Sequence, residues 1–296
     1  MGWRKSAHLF LTKNSNNHNM NITAADVNKL RQLTGAGMMD CKKALTEANG
    51  DFEEAVVILR KKGQKVSASR ADREANEGVI IALTSVDATF GLIAEVTCET
   101  DFVAKNEDFG SFAHEIATIA MNKNITDKDA LLQEHIGGIT IAEKLIEYTG
   151  KIGEKISLHR LVTVAGEGVV SYVHSNSKLG VLVALNQAAN ADVEAAGKDV
   201  AMQIAAMNPV AVDKGDVDPS VIEREIEIGK DQARQEGKPE AIVEKIAMGK
   251  LNKFYQDNTL LNQAFVKDNG VNIAQMLDKV AKGLTVKAFA RVAIGA

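Results

Sequence analysis

Residues 77–85 read EGVIIALTS and residues 91–99 read GLIAEVTCE; further along, residues 167–175 read EGVVSYVHS and residues 180–186 read GVLVALN. Glu77 matches Glu167, Gly91 matches Gly180, and Met121-Asn122 match Met207-Asn208. In each copy two β-branched runs flank a polar turn, and an alanine-rich stretch of helical period follows. The pattern is an internal repeat of a strand–strand–helix unit, each copy supplying a small antiparallel sheet backed by a helix. An α+β fold follows, with core subdomains at 76–150 and 151–296.

The copies differ where the second strand leaves for the helix. Val96 to Met121 spans three more positions than Leu185 to Met207, and the excess falls in Cys98-Glu99-Thr100-Asp101-Phe102-Val103-Ala104-Lys105-Asn106. A connection that departs from its own twin is a candidate for function rather than folding. Phe102 has two readings. It folds back onto its own sheet, or it is an aromatic anchor for a partner's pocket.

Working outward, residues 20–63 read as three short helices. Thr23 caps one that carries Val27, Leu30 and Leu33, and Thr34-Gly35-Ala36-Gly37 ends it. Met38, Cys41, Ala44 and Leu45 form a stripe on the second; Asp51 caps a third that stops at Lys62-Gly63. So small a bundle is marginal alone and suits docking better than chemistry. A basic linker, 64–75, follows. The run around it, residues 60–73, carries six basic residues against Asp72, and is either a solvated tether or an RNA contact without aromatics to stack bases. Beyond Pro209, residues 219–256 read as two helices joined at Gly237-Lys238-Pro239, an antiparallel hairpin projecting from the core. Val221, Ile222, Ile226 and Ile228 are its apolar positions on one side, with Ile242, Ile246, Met248 and Leu251 on the other. A last helix runs from Ile273 to Val280, and an apolar strand from Leu284 to Val292 rejoins the second sheet.

Composition sets limits. At 45% apolar and 25% charged the 296-residue chain is ordinary globular protein, not disordered. Three prolines, against about fifteen at average usage, favour helix. A net charge of −4 makes any nucleic-acid role local. No apolar run approaches the ~20 residues of a membrane span. Cys41 and Cys98 make neither a disulfide framework nor a metal cluster, which fits a reducing, cytoplasmic setting. Residues 1–19 contain no acid and end in an Asn-rich tract before Met20. They read as a non-native or upstream-start extension, or as a short transit-like peptide.

Chemistry is sparse. GxxxxGK[ST] does not occur, Gly166-Glu167-Gly168 lacks a third glycine, and the histidines never fall at metal-ligand spacing. Glu95, Glu99 and Asp101 could pair as acid and base, or be polar residues at a solvated sheet edge; nothing nearby supplies a nucleophile. Cys98 alternates toward the core as a small apolar filler. The residues argue against an enzyme and call for no cofactor.

Two strings carry a resemblance. Leu33-Thr34-Gly35-Ala36-Gly37-Met38-Met39-Asp40-Cys41-Lys42-Lys43-Ala44-Leu45 and Thr100-Asp101-Phe102-Val103-Ala104-Lys105-Asn106 resemble the two signatures of the elongation factor Ts family, guanine-nucleotide exchange factors of elongation factor Tu. The order of a small UBA-like bundle, a duplicated core and a helical hairpin is similar too. The resemblance implies that Thr100, Asp101, Phe102 and Val103 meet the partner, with Asp101 and Phe102 intruding near its Mg²⁺ site so that the ion and then GDP are released. It extends to Lys105 and Asn106. Ile152-Gly153-Glu154 is similar to the family's IGEN segment, with Lys155 for asparagine, and Ile152 and Gly153 are implied partner contacts. His174 has Ser175 for the usual glycine, and Phe265-Val266 has Ala264 for proline. The family's hairpin is assigned to dimerisation or secondary contacts, so a homodimer is implied as an option, as is indirect association with aminoacyl-tRNA complexes and the ribosome. Longer members continue into a C-terminal helical module that packs on elongation factor Tu, and the sequence shows none before Ala296. The alternatives are a non-exchange scaffold and an RNA- or ribosome-binding module using the basic linker.

Overall fold

A computed structural model of the chain describes residues 22–174 and 176–295; the expected extension, 1–19, lies outside them. The chain opens with α1 (Ala24–Thr34), α2 (Met38–Glu47) and α3 (Phe52–Ser69). Thr23 and Asp26 close a capping box on α1, Gly35 at φ 67° ends it, and Asp51 accepts the Glu54 amide to start α3. Val27, Leu30, Cys41, Ala44, Leu45 and Ala55 fill the bundle. Leu33 and Met38, expected in its apolar stripes, are exposed instead.

Helix α3 does not stop at Gly63. It runs on to Ser69, so half of the expected linker, 64–69, is helix. Tertiary packing overrides the local stop signal: Gly63 lies against Gly150, where an added Cβ would come within 2.6 Å of the Gly63 Cα.

The first half of the core comprises β1 (Glu77–Thr84), β2 (Phe90–Cys98), α4 (Asp101–Ala104), α5 (Glu107–Asn122), α6 (Lys128–Leu132), the short pair β3 (His135–Ile136) and β4 (Ile139–Thr140), α7 (Ile141–Ile152) and β5 (Ser157–Ala165). The second comprises β6 (Gly168–Val173), β7 (Leu179–Leu185), α8 (Ala191–Met207), α9 (Pro219–Gln235), α10 (Glu240–Asn258), β8 (Ala264–Phe265), β9 (Asp268–Asn272), α11 (Ile273–Val280) and β10 (Val286–Ala293). Each half builds a three-stranded antiparallel sheet, β1-β2-β5 and β6-β7-β10, with the hairpin's second strand in the centre. The third strand of the second sheet was expected; β5 was not.

Side chains alternate across each central strand. Leu92, Ala94, Val96 and Cys98 face Phe109, Phe112 and Ile116 of α5, while Val181, Val183 and Leu185 face Val193, Val200 and Ile204 of α8. The opposite faces meet each other through Ile80, Ile93, Leu182 and Val292. Two matching glycines allow this approach. A Cβ on Gly91 would lie 2.7 Å from Val169 Cγ1, and one on Gly180 would lie 2.4 Å from Ile80 Cγ2. The seam is also hydrogen-bonded, the Ile80 amide donating to the Ser177 carbonyl at 2.7 Å.

Glu95 corrects the solvated-edge reading. Its strand is central, and the residue is 1% exposed, paired with Arg160 Nε at 2.5 Å. Arg160 Nη2 also donates to the Ala293 carbonyl at 3.0 Å.

The hairpin forms as α9 and α10, with Asp218 capping α9 and Gly237 at φ 71° in the turn. Its seam differs from the expected stripe. Gly229, Ala233, Val243, Ala247 and Leu251 are buried, whereas Ile228, Ile242 and Met248 are exposed. A Cβ on Gly229 would sit 3.0 Å from the Ala247 Cα, so small residues set the helix spacing.

Candidate functional site

Eight residues, 99–106, separate β2 from α5, where five, 186–190, separate β7 from α8. The extra length holds a single helical turn, α4. Thr100 caps it, its Oγ1 accepting the Val103 amide at 3.5 Å, and Asn106 then caps α5 by accepting the Asp108 amide at 2.8 Å. Val103 and Ala104 lean on the first core. Phe102 does not fold back onto its sheet; it stands 82% exposed.

Asp101 opens α4 and pairs with exposed Lys105 at 2.6 Å. The Lys105 ammonium bonded to it holds the Asp101 carboxyl below its usual value, and Asp101 raises Lys105 in return. Such an exposed pair is worth little and can be exchanged for another partner at small cost.

One turn of helix with a solvent-facing Phe cannot hold itself in place, because nucleating a helix costs more than one hydrogen bond returns. The base of the turn is held by two carboxylates. Glu154 Oε2 accepts the Glu99 and Thr100 amides at 3.1 and 3.0 Å, and Glu154 Oε1 accepts the Thr100 hydroxyl at 2.7 Å. Glu99 in return accepts the Lys155 amide at 2.6 Å and Arg70 Nη1 at 2.7 and 2.9 Å. Burial works to raise the Glu99 carboxyl, but the Lys155 amide and the Arg70 guanidinium outweigh it and hold it below the ordinary glutamate value. Lys155 Nζ donates to the Ala71 and Arg73 carbonyls at 2.6 and 2.9 Å. Glu99 therefore corrects the sheet-edge reading too, and part of the basic run is occupied within the molecule.

Beneath the turn, Cys98 Sγ donates to the Thr100 carbonyl at 3.2 Å, and burial pushes its thiol up to about 12. Ile152, half-buried, packs on the first core at the end of α7, and Gly153 closes that helix at φ 83°. His174 is exposed at the end of β6, its Nδ1 3.0 Å from the Tyr172 hydroxyl. Lys178, just before β7, pairs with Glu77 of β1 at 2.5 Å and adds to the positive field on Asp101. Residues 99–106 and 152–155 thus meet, and Lys178 lies near enough to Asp101 to act on its charge. Phe265 is buried in the second core, and Val266, though exposed, is tied to the interior by its amide, which donates to Gln203 Oε1 at 2.9 Å. Glu154 reads from the sequence only as part of a family-like segment; its donors, the amides of 99 and 100, lie 55 and 54 positions away. Among the described residues there is no His/Cys/Asp/Glu group placed to hold a metal ion, and no helix long and apolar enough to cross a membrane.

The sequence model described as Elongation factor TS matches residues 99–296. The chain belongs to the elongation factor Ts family. A protein named elongation factor Ts from Cytophaga hutchinsonii is 57% identical over 274 residues, covering 92% of this chain and 99% of the relative. One from Amoebophilus asiaticus is 54% identical over 277 residues, covering 94% and 100%. A third, from Flavobacterium psychrophilum, is 51% identical over 274 residues, covering 93% and 99%. Elongation factor Ts is a nucleotide exchange factor of translation elongation and not an enzyme, and membership of its family implies elongation factor Tu as the partner.

Proposed function

We propose that the chain releases GDP from elongation factor Tu by inserting Asp101 and Phe102 beside the partner's Mg²⁺ site. The observation that carries this reading is the exposure of Phe102, 82%, on a turn that its own twin lacks. An exposed ring on a fixed mount enters a pocket with little conformational entropy left to lose. Asp101, ionised and only loosely engaged by Lys105, supplies a negative charge that competes for whatever cation the pocket holds. A GTPase grips its nucleotide through a phosphate cradle and Mg²⁺, so disturbing the ion loosens both. Coupling is reciprocal: the factor by which this chain weakens GDP is the factor by which GDP weakens this chain. Thr100 and Val103 support the pair, and Lys105, Asn106, Ile152, Gly153 and His174 border it.

The test is GDP release from elongation factor Tu, timed by stopped flow with a labelled nucleotide at several Mg²⁺ concentrations. Phe102→Ala costs about 2 kcal/mol of interaction, roughly thirtyfold in affinity, with folding stability kept within about 0.5 kcal/mol. Unchanged release refutes the reading, and tight binding without faster release makes the chain a scaffold. The RNA alternative rests on the basic run, and the engagement of Arg70 with Glu99 works against it.

A further inference from the structure

We infer that Glu154 is a positioning residue for the exposed turn, with Glu99 its counterpart, an inference that rests on the exchange reading above. Helix α4 has little of its own to hold it. It has four residues, none of them fully buried, and its largest side chain faces solvent. Val103 and Ala104 pack on the core, and Phe102 makes no part of that contact. Tilt is set at the base, where the backbone leaves β2. There the Glu154 carboxylate takes two consecutive amides and the Thr100 hydroxyl, three donors on two oxygens.

The arrangement is reciprocal across a sequence separation of 55 residues. Glu154 accepts from the backbone of 99–100, and Glu99 accepts from the backbone of 155. Charge-assisted bonds of this kind are short and strong, and a bifurcated set defines an orientation as well as a distance. The Thr100 hydroxyl serves two partners at once, donating to Glu154 and accepting from the Val103 amide. Through Thr100 the carboxylate thus reaches the cap of α4 itself, one residue from Asp101 and two from Phe102. The second half offers a contrast. The exit of β7 is held by neutral Asn186, whose side chain bonds Gly283 and Thr285, and no exposed aromatic follows.

The experiment measures two things on the full chain. Amide hydrogen exchange compares Glu154→Ala with the parent over residues 99–105. Protection there falls while the remainder of β2 stays protected. GDP release from elongation factor Tu is then timed for Glu154→Ala, Phe102→Ala and the double variant. Glu154→Ala slows release about tenfold, and the double variant is no slower than Phe102→Ala alone, because the carboxylate acts only through the ring it orients. Glu154→Gln, which keeps one acceptor oxygen and the side-chain shape, restores most of the rate and serves in place of the alanine variant if that one does not fold. Unchanged protection at 99–105 overturns the inference whatever the release rates are, and so do single-variant effects that multiply in the double variant. A Phe102→Ala variant with undiminished release instead takes down the exchange reading, and the protection data separate that failure from failure of the clamp.

Discussion

The two halves of the core share a sheet order, a central strand, a covering helix and a glycine at the same point of that strand, yet they leave that strand differently. After β7 the chain takes five residues to α8, and Asn186 makes a neutral clasp: its amide donates to the Thr285 carbonyl at 3.1 Å and its Oδ1 accepts the Thr285 amide at 2.8 Å. After β2 it takes eight residues, and the clasp at that exit is ionic, Glu99 on Lys155 and Arg70, Glu154 on Glu99 and Thr100. The neutral exit serves folding. The charged one carries, at the end of a short turn, an aromatic that contributes nothing to its own core. A difference between twins of one scaffold isolates what folding does not require.

The comparison can be broken most severely by exchange of parts. Replacing residues 99–106 with the twin's Asn-Gln-Ala-Ala-Asn should leave the far-ultraviolet dichroism close to that of the parent and reduce GDP release from elongation factor Tu to its spontaneous rate. Release that survives the graft would mean that the extra length is not where the two halves part company.

Symmetry itself is tested next. Gly91→Val and Gly180→Val each drive a side chain into the opposite sheet, where the nearest atoms already lie within 3 Å of the added Cβ. Each should cost about 3 kcal/mol, read as a lowered urea midpoint with unchanged slope. A large effect at one site and none at the other would show that only one half bears the seam.

A smaller asymmetry lies at Glu95, whose twin position is Ala184. Arg160→Ala leaves the buried carboxylate unpaired and should cost about 2 kcal/mol, below the 3–5 of a fully enclosed pair because Arg160 is a third exposed. Removing both, as Glu95→Ala with Arg160→Ala, makes the first half resemble the second and should cost less than the single change. Thermal unfolding of the three variants decides it.

The smallest expected difference is one of pH. Glu99 is held below the ordinary glutamate value of about 4.3, so its contribution is present above that value in the unfolded chain and is lost as pH falls through the lower folded value. Asn186 does not titrate. Amide protection, corrected for intrinsic rates, should therefore fall at 99–105 before it falls at 186–190 on acidification. Equal loss at both exits would remove the ionic distinction.

Much of this frame was legible in the residues. The matched Glu77/Glu167, Gly91/Gly180 and Met121/Met207 give two strand pairs and their helices, and Thr23, Asp51 and Asp218 mark helix starts where the caps occur. What was not legible depends on contacts between distant segments. β5, with His159 and Arg160 inside it, does not read as a clean apolar run, and only its pairing with β2 makes it a strand. Lys62-Gly63 reads as a stop because glycine is costly in a helix; the close approach of Gly150 reverses that sign. A strand's rank in its sheet is invisible in its own letters, so Glu95 reads as an edge residue though it lies at the centre. Glu154 stands in a family-like segment, but nothing local shows what it accepts, since its donors are 54 and 55 positions away. Phe265 reads as a contact residue by likeness, but its ring fills the second core.

Helix α3 has a further consequence. Its eighteen residues make a strut about 27 Å long, splinted in its second half by the Gly63–Gly150 crossing and bolted beyond its end where Arg70 meets Glu99. The span from the amino-terminal bundle to the aromatic tip is therefore a set length, like the opening of a fixed gauge. A body that touches both ends must conform to that length, and the work of deformation falls on the visitor.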